Sequence, residues 1–264
     1  MLEGLLINAA VLTAVMLVAW RIAVRIDDVS FIDAIWGGGM ALMALTSWLQ
    51  LDGKSALATT ILAMAAAWGI RLFGHLFKRW RRDGEDNRYK RIMKKSRENG
   101  TFARDALIKV FGMQALLLFL VSSPAQVGIL AAEQPQELGM LGWIGLALFL
   151  VGIFFEWVGD HQLEEFKADP ANEGKVLDSG LWRYTRHPNY FGDACAWWGI
   201  WLAAASNGWD VALWTVAGPI FLTFTLTRWS GVTLLEKGMD KSKGDKYADY
   251  KRRTSAFIPL PPKS

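Results

Sequence analysis

The sequence predicts an all-α, polytopic membrane helical bundle of about seven transmembrane helices, with the N-terminus outside and the C-terminus cytoplasmic. Three observations predict it. Hydrophobic residues make up 52% of the 264, more than a soluble core of this size requires. Apolar runs near the roughly 20 residues that cross a hydrocarbon core recur along the chain. Lys and Arg, finally, gather in alternate connections.

The apolar runs cover about 5–24, 31–50, 55–77, 106–130, 138–158, 191–206 and 209–228, the sixth being the shortest. The first has Glu3 and no Lys or Arg ahead of it, while Arg21 and Arg25 follow it. A secretory signal has the opposite polarity, so this run reads as a retained helix. Connections after runs one, three and five carry Arg21 and Arg25, a long basic stretch, and Lys167, Lys175, Arg183 and Arg186. Those after runs two, four and six carry almost none, Lys54 excepted, and the tail is basic again. Positive loops stay cytoplasmic, so an odd number of spans satisfies every connection at once. The chain reads as one integral domain, 1–264, with cytoplasmic loops at about 78–105 and 159–190 and a cytoplasmic tail at about 229–264.

The formal charge of +4 then reflects topology first, nucleic-acid binding is a poor reading of it, and no nucleic-acid partner is expected. With Cys195 as the single cysteine, neither a disulfide framework nor a thiolate metal site can form within one chain, and no metal is expected. The closing Pro259-Leu260-Pro261-Pro262 stretch breaks helix and is expected to lie extended.

Polar residues fall unevenly in this frame. Asp33, Arg71, His75, Lys109, Gln114, Glu156, Asp160, Asp193 and Arg228 all occupy the cytoplasmic half of their spans. The outer half reads as Leu, Ala, Trp, Val and Phe. Snorkelling accounts for Lys109 and Arg228, but Asp33 is too short for it. Trp68, Arg71, His75 and Arg79 recur at helical spacing, which makes one face of the third span polar and aromatic. An Asp33–Arg71 pair would offset the cost of burying either charge. The expectation is a water-accessible cavity opening to the cytoplasm. Gly37-Gly38-Gly39 would let a backbone or a ligand approach closely.

Eleven Lys or Arg lie between Lys78 and Arg104, enough to attract anionic lipid headgroups. Acids interrupt the run in Gly84-Glu85-Asp86-Asn87-Arg88-Tyr89, which suits a folded, hydrogen-bonded loop and makes Arg79, Arg88 and Tyr89 ligand candidates. The second long loop combines an Asp178-Ser179-Gly180 turn with Pro188 placed to begin a helix. A helix N-terminus beside Arg186, His187 and Asn189 suits an anion.

Arg186-His187-Pro188-Asn189-Tyr190-Phe191-Gly192-Asp193 carries a resemblance to a known family. So do Gly84-Glu85-Asp86 with Arg88-Tyr89, Asp33-Ala34-Ile35-Trp36-Gly37, and Tyr250 with Arg252, Arg253 and Phe257-Ile258-Pro259. Together these resemble the bacterial branch of the steroid 5-alpha-reductase-like membrane family, over nearly the whole chain. The resemblance implies an enzyme of a bacterial inner membrane. It would use cytosolic NADPH to reduce an activated carbon–carbon double bond in a lipophilic substrate, a steroid or an enoyl lipid, beside membrane lipids. It implies cofactor contacts at Arg71, Arg79, Glu156, Asp160, Lys167, Lys175, Asn189, Asp193 and Arg253, with Arg88, Tyr89, Arg186, His187, Tyr190 and Tyr250 in the same motifs. Glu156 stands where the steroid enzymes have an amide, and Lys167 and Lys175 where they have arginines.

In those enzymes an acid on the second helix and a tyrosine on the third polarise the substrate carbonyl. The matching positions here are Asp33 and Trp68, and an indole donates a hydrogen bond without serving as a general acid. The Arg-His-Pro-x-Tyr pattern is also similar to the isoprenylcysteine and phospholipid methyltransferases, which bind S-adenosylmethionine. Glu236 alone would represent their later acidic pair. The many cations among the candidates favour polyanionic NADPH over a sulfonium cation. A lipid-binding protein that keeps the fold without the chemistry is the third reading.

Overall fold

The computed structural model describes residues 1–132, 137–229 and 231–263, and among them it is helical, with no strand beyond an isolated bridge between Thr185 and Ser255. The helices are α1 (Leu2–Ile26), α2 (Ile32–Leu49), α3 (Ala56–Asp83), α4 (Asn87–Glu98), α5 (Phe102–Val121), α6 (Ser123–Ala131), α7 (Met140–Ala168), α8 (Pro188–Ala205), α9 (Trp209–Trp229), α10 (Val232–Lys243) and α11 (Asp245–Arg253). They form two compact units, Met1–Trp143 with Ile200–Gly218, and Ile144–Gly199 with Pro219–Ser264.

Five helices, α1, α2, α3, α7 and α9, are long and apolar enough to cross a membrane, or six if α5 and α6, bent by 48°, count as one span. The remaining expected span, the sixth in chain order at about 191–206, corresponds to α8. That helix forms over 18 residues but begins with Pro188, Asn189 and Asp193, and it lacks the apolar content of the others. Large apolar side chains stay exposed along α1 (Leu6, Leu17, Val18, Ile22) and on α9, where Trp214 is 83% exposed, the surface that lipid covers in an integral multi-pass protein.

Two expected loops are largely helix. α7 continues past position 158 to Ala168, so Asp160 and Lys167 ride on it. The 78–105 stretch contains the end of α3 and all of α4. Ser55 caps α3, accepting from the Ala58 amide at 3.0 Å, and Gly84, at φ 72°, ends it. Asp86 caps α4 by accepting from the Arg88 amide at 2.7 Å. The expected connection between the fourth and fifth spans lies partly outside the described residues.

Within each unit, helices cross at glycines. A Cβ on Gly37 would come within 2.6 Å of the Gly69 carbonyl oxygen and 2.8 Å of the Phe73 nitrogen, so α2 and α3 touch backbone to backbone. Of the expected occupants beside the glycine triplet, a backbone fills this position. In the second unit a Cβ on Gly192 would meet the Gly152 carbonyl oxygen at 2.5 Å, which joins α7 to α8.

The half of the spans expected from sequence to be purely apolar also holds buried polar groups. At the end of α2 opposite Asp33, the fully buried Asn8 donates to Ser47 Oγ at 2.7 Å and to Gln126 Oε1 at 3.0 Å, and accepts from Gln50 at 3.0 Å. Gln126 in turn donates to the Phe119 carbonyl at 3.0 Å, and Ser122 Oγ to Leu118 at 2.7 Å. Gln126 thereby occupies the Phe119 carbonyl where α5 bends into α6.

Candidate functional site

In the first unit the candidates converge on Asp33, on the first turn of α2. Its Oδ1 accepts from the Tyr89 hydroxyl at 2.7 Å and its Oδ2 from Arg88 Nη2 at 2.6 Å, while Arg79 Nη2 stands 3.9 Å away. Arg88 therefore supplies the countercharge that the sequence reading sought in Arg71. Tyr89 is 7% exposed, and burial, reinforced by the Asp33 carboxylate, pushes its phenol well above the ordinary range. The phenol stays protonated at neutral pH and donates, while both Asp33 oxygens accept. Trp68 is buried on α3, and Arg71 and His75 are half-buried on the same helix.

In the second unit the Arg186–Asp193 motif splits its tasks. Arg186 donates to Glu236 Oε1 at 2.8 Å and to the carbonyls of Lys251 and Thr254 at 3.2 and 2.7 Å. Its donors thus tie the loop to the tail. His187 Nε2 lies 3.3 Å from the same Glu236 oxygen, and its ring stacks on Tyr190 at 5.6 Å. Burial raises the Glu236 carboxyl, but hydrogen bonds and charge from His187 and Arg186 outweigh it and hold it down to about 2. Tyr250 donates to the Trp182 carbonyl at 2.5 Å and the Leu260 amide to the Tyr184 carbonyl at 3.0 Å, so the tail clamps this loop, and its proline end lies outside any helix.

Asn189, at the start of α8, donates to Asp160 Oδ1 at 3.0 Å. Glu156, Asp160 and Asp193 are all buried on α7 and α8. Lys167 is exposed at the end of α7. Lys175, Tyr250 and Arg253, distant in sequence, line one open cavity of about 500 Å³ together with Val176, Asp178, Asp245, Lys246 and Asp249. Arg253 is held by Asp249 at 2.9 Å and faces Asp178 at 3.6 Å. Lys246 and Asp249 escaped the sequence reading. Their spacing with Tyr250 and Arg253 along a single helix face was the signal that could have found them. Among the described residues no group of three or more His, Cys, Asp or Glu could hold a metal ion.

Fold and site together define a helical, multi-pass membrane protein with buried carboxylates and a polar cavity lined by both basic residues and aspartates. The chain belongs to the family described as Protein of unknown function (DUF1295), whose model matches residues 19–254. It is 23% identical over 265 residues to an uncharacterized protein of Schizosaccharomyces pombe, covering 92% of this chain and 76% of that one, so the relatives do not single out a bacterial branch. It is 30% identical over 118 residues to 3-oxo-5-alpha-steroid 4-dehydrogenase 1 of Rattus norvegicus, covering 44% of this chain and 40% of that enzyme. It is 26% identical over 165 residues to Methanethiol S-methyltransferase 1 of Bradyrhizobium diazoefficiens, covering 59% and 54%. The chain thus spans about half or less of the two enzymes. No solved structure matches it.

Proposed function

We propose that this protein is a membrane-embedded, NADPH-dependent reductase of an activated carbon–carbon double bond in a lipophilic substrate. The observation that carries the reading is the meeting of Lys175, Lys246, Tyr250 and Arg253 around one cavity. Such a set fits a phosphorylated ribose: two lysines and a guanidinium would face the anion, and carboxylates would face hydroxyls. Asp160 and Asn189 would hold ribose or carboxamide groups. The similarity to the steroid dehydrogenases supports the same reading. The basic residues at the ends of α1 and α3 favour the orientation with the Asp33 end cytoplasmic.

NADPH, when bound, supplies a hydride to the electron-poor carbon of an enone or enoyl group. The chain's own part is the proton. An enolate oxygen needs a donor as charge develops on it. In the first unit the candidate donor is the Tyr89 hydroxyl, whose single proton is donated to Asp33 Oδ1 and would turn from it to the enolate oxygen when substrate binds. Trp68 serves as an apolar wall. Tyr89→Phe is expected to lower kcat on an enone about 10²-fold, with nucleotide binding unchanged. Equal rates for variant and wild type would remove Tyr89 from the reaction.

The nucleotide itself is tested by thermal shift of the detergent-purified chain with NADPH, NADH and S-adenosylmethionine. A shift specific to NADPH is expected, with binding about tenfold weaker in Lys175→Ala and in Arg253→Ala, since one charge-assisted contact is lost in each. A shift with S-adenosylmethionine alone would replace this reading with a methyltransferase. That second reading is favoured by the junction of Arg186 and His187 on Glu236 and by the methyltransferase relative. No shift with any of the three would leave a lipid-binding protein.

A further inference from the structure

Helix α4 is joined to α3 and α5 by three residues on each side, Gly84–Asp86 and Asn99–Thr101, each able to reach no more than about 10 Å. Its inner face is pinned to the ends of the membrane helices. Tyr89 and Arg88 bind Asp33 at the start of α2. Ser96 donates to Asp105 at the start of α5 at 2.7 Å. Arg97 donates to Asp27, at the end of α1, at 3.0 Å and to Glu85, just after α3, at 2.7 Å. The helix therefore cannot leave the level at which four membrane helices end, where headgroups lie.

Its outer face carries Lys90, Arg91, Lys94 and Lys95, all exposed, with Ile92 beside them at 57% exposure. Among the described residues the only ion pair this set makes is Lys94 with Glu98, at 3.9 Å. Apart from Glu98, the acids nearby (Asp27, Asp33, Glu85, Asp105) are taken up by the inner face and do not neutralise the outer one. Four cations held at headgroup level beside an exposed isoleucine are complementary to an anionic lipid surface.

We infer that α4 is a docking surface for anionic phospholipid headgroups, seated so that its inner face completes the Asp33 cluster. Each cation near such a surface strengthens attachment about fivefold. The test titrates the full chain, purified in neutral detergent, with short-chain phosphatidylglycerol, phosphatidylcholine or inorganic phosphate and reads the melting temperature. Phosphatidylglycerol is expected to bind at least about tenfold more tightly than phosphatidylcholine. In Lys90→Gln/Arg91→Gln/Lys94→Gln/Lys95→Gln, or at 1 M salt (roughly a 3 Å screening length), that preference should largely vanish. The double variant Arg91→Gln/Lys95→Gln should show an intermediate loss and serves where the quadruple variant does not fold. A preference retained in the variants, absent from the wild type, or matched by inorganic phosphate would overturn the inference.

Discussion

Gly37→Leu is expected to yield no monodisperse, folded protein. A Cβ at this position would lie 2.6 Å from the Gly69 carbonyl oxygen and 2.8 Å from the Phe73 nitrogen. Both obstacles are backbone, so no rotamer change relieves the clash, and α2 and α3 must separate. They make the most extensive helix contact in the first unit. Overpacking of this kind costs about 3 kcal/mol or more, a large part of the roughly 5–15 kcal/mol that holds a domain folded. Gly74→Ala is the matched control, because nothing lies within 4 Å of its Cβ. Size-exclusion profile and melting temperature in detergent should separate the two variants. A Gly37→Leu protein that elutes and melts like wild type would contradict the α2–α3 crossing.

Glu236→Leu is expected to release the tail from the loop. Arg186 is 11% exposed and would keep its two carbonyl contacts while losing its anion, and His187 would lose the same partner. Removing one member of a buried pair costs about 3–5 kcal/mol, and partial exposure of Glu236 brings this to about 2–3 kcal/mol. Limited trypsin digestion should then cut faster at Lys241, Lys243 and Lys246, and the melting temperature should fall. The sign of the pH effect follows from the depressed carboxyl. Glu236 is held at about 2, against an ordinary 4.5, so its stabilising contribution is complete above pH 4.5 and disappears as pH falls toward 2. Glu236→Gln should lose that part of the acid dependence. An unchanged acid profile would show that Glu236 is not the group titrating.

Hydropathy made the long lipid-facing helices legible, because an apolar run of span length has few alternatives. It failed where helix and membrane part company. α7 runs on to Ala168 through charged residues, since backbone hydrogen bonding continues after the apolar stretch ends. α4 was read as loop because its charged majority hides the single buried line of Tyr89, Met93 and Ser96. Asn8 and Gln126 were overlooked because one amide scarcely alters the average of an apolar window.

The site was legible in composition more than in pairing. The sequence reading named Asp33, Arg79, Arg88 and Tyr89, and the structure brings them together, but the partner of Asp33 comes from a helix the reading had not placed. Lys175, Tyr250 and Arg253 likewise meet at one cavity. Lys246 was hidden among tail lysines, because the turn that begins α11 at Asp245 carries no apolar signal.

The neutrality of the Asn8–Ser47–Gln126 cluster has an electrical consequence. A transmembrane voltage does work only on charge, about 2.3 kcal/mol per elementary charge per 100 mV. At that end of α2 the buried polar groups are amides and hydroxyls, so the field finds nothing there to displace. At the other end Asp33 and Arg88 sit close together as a dipole of opposite charges, whose net work in the field is small. The first unit thus binds its helices through polar contacts at both ends of α2 while these contacts give a changing membrane potential little purchase.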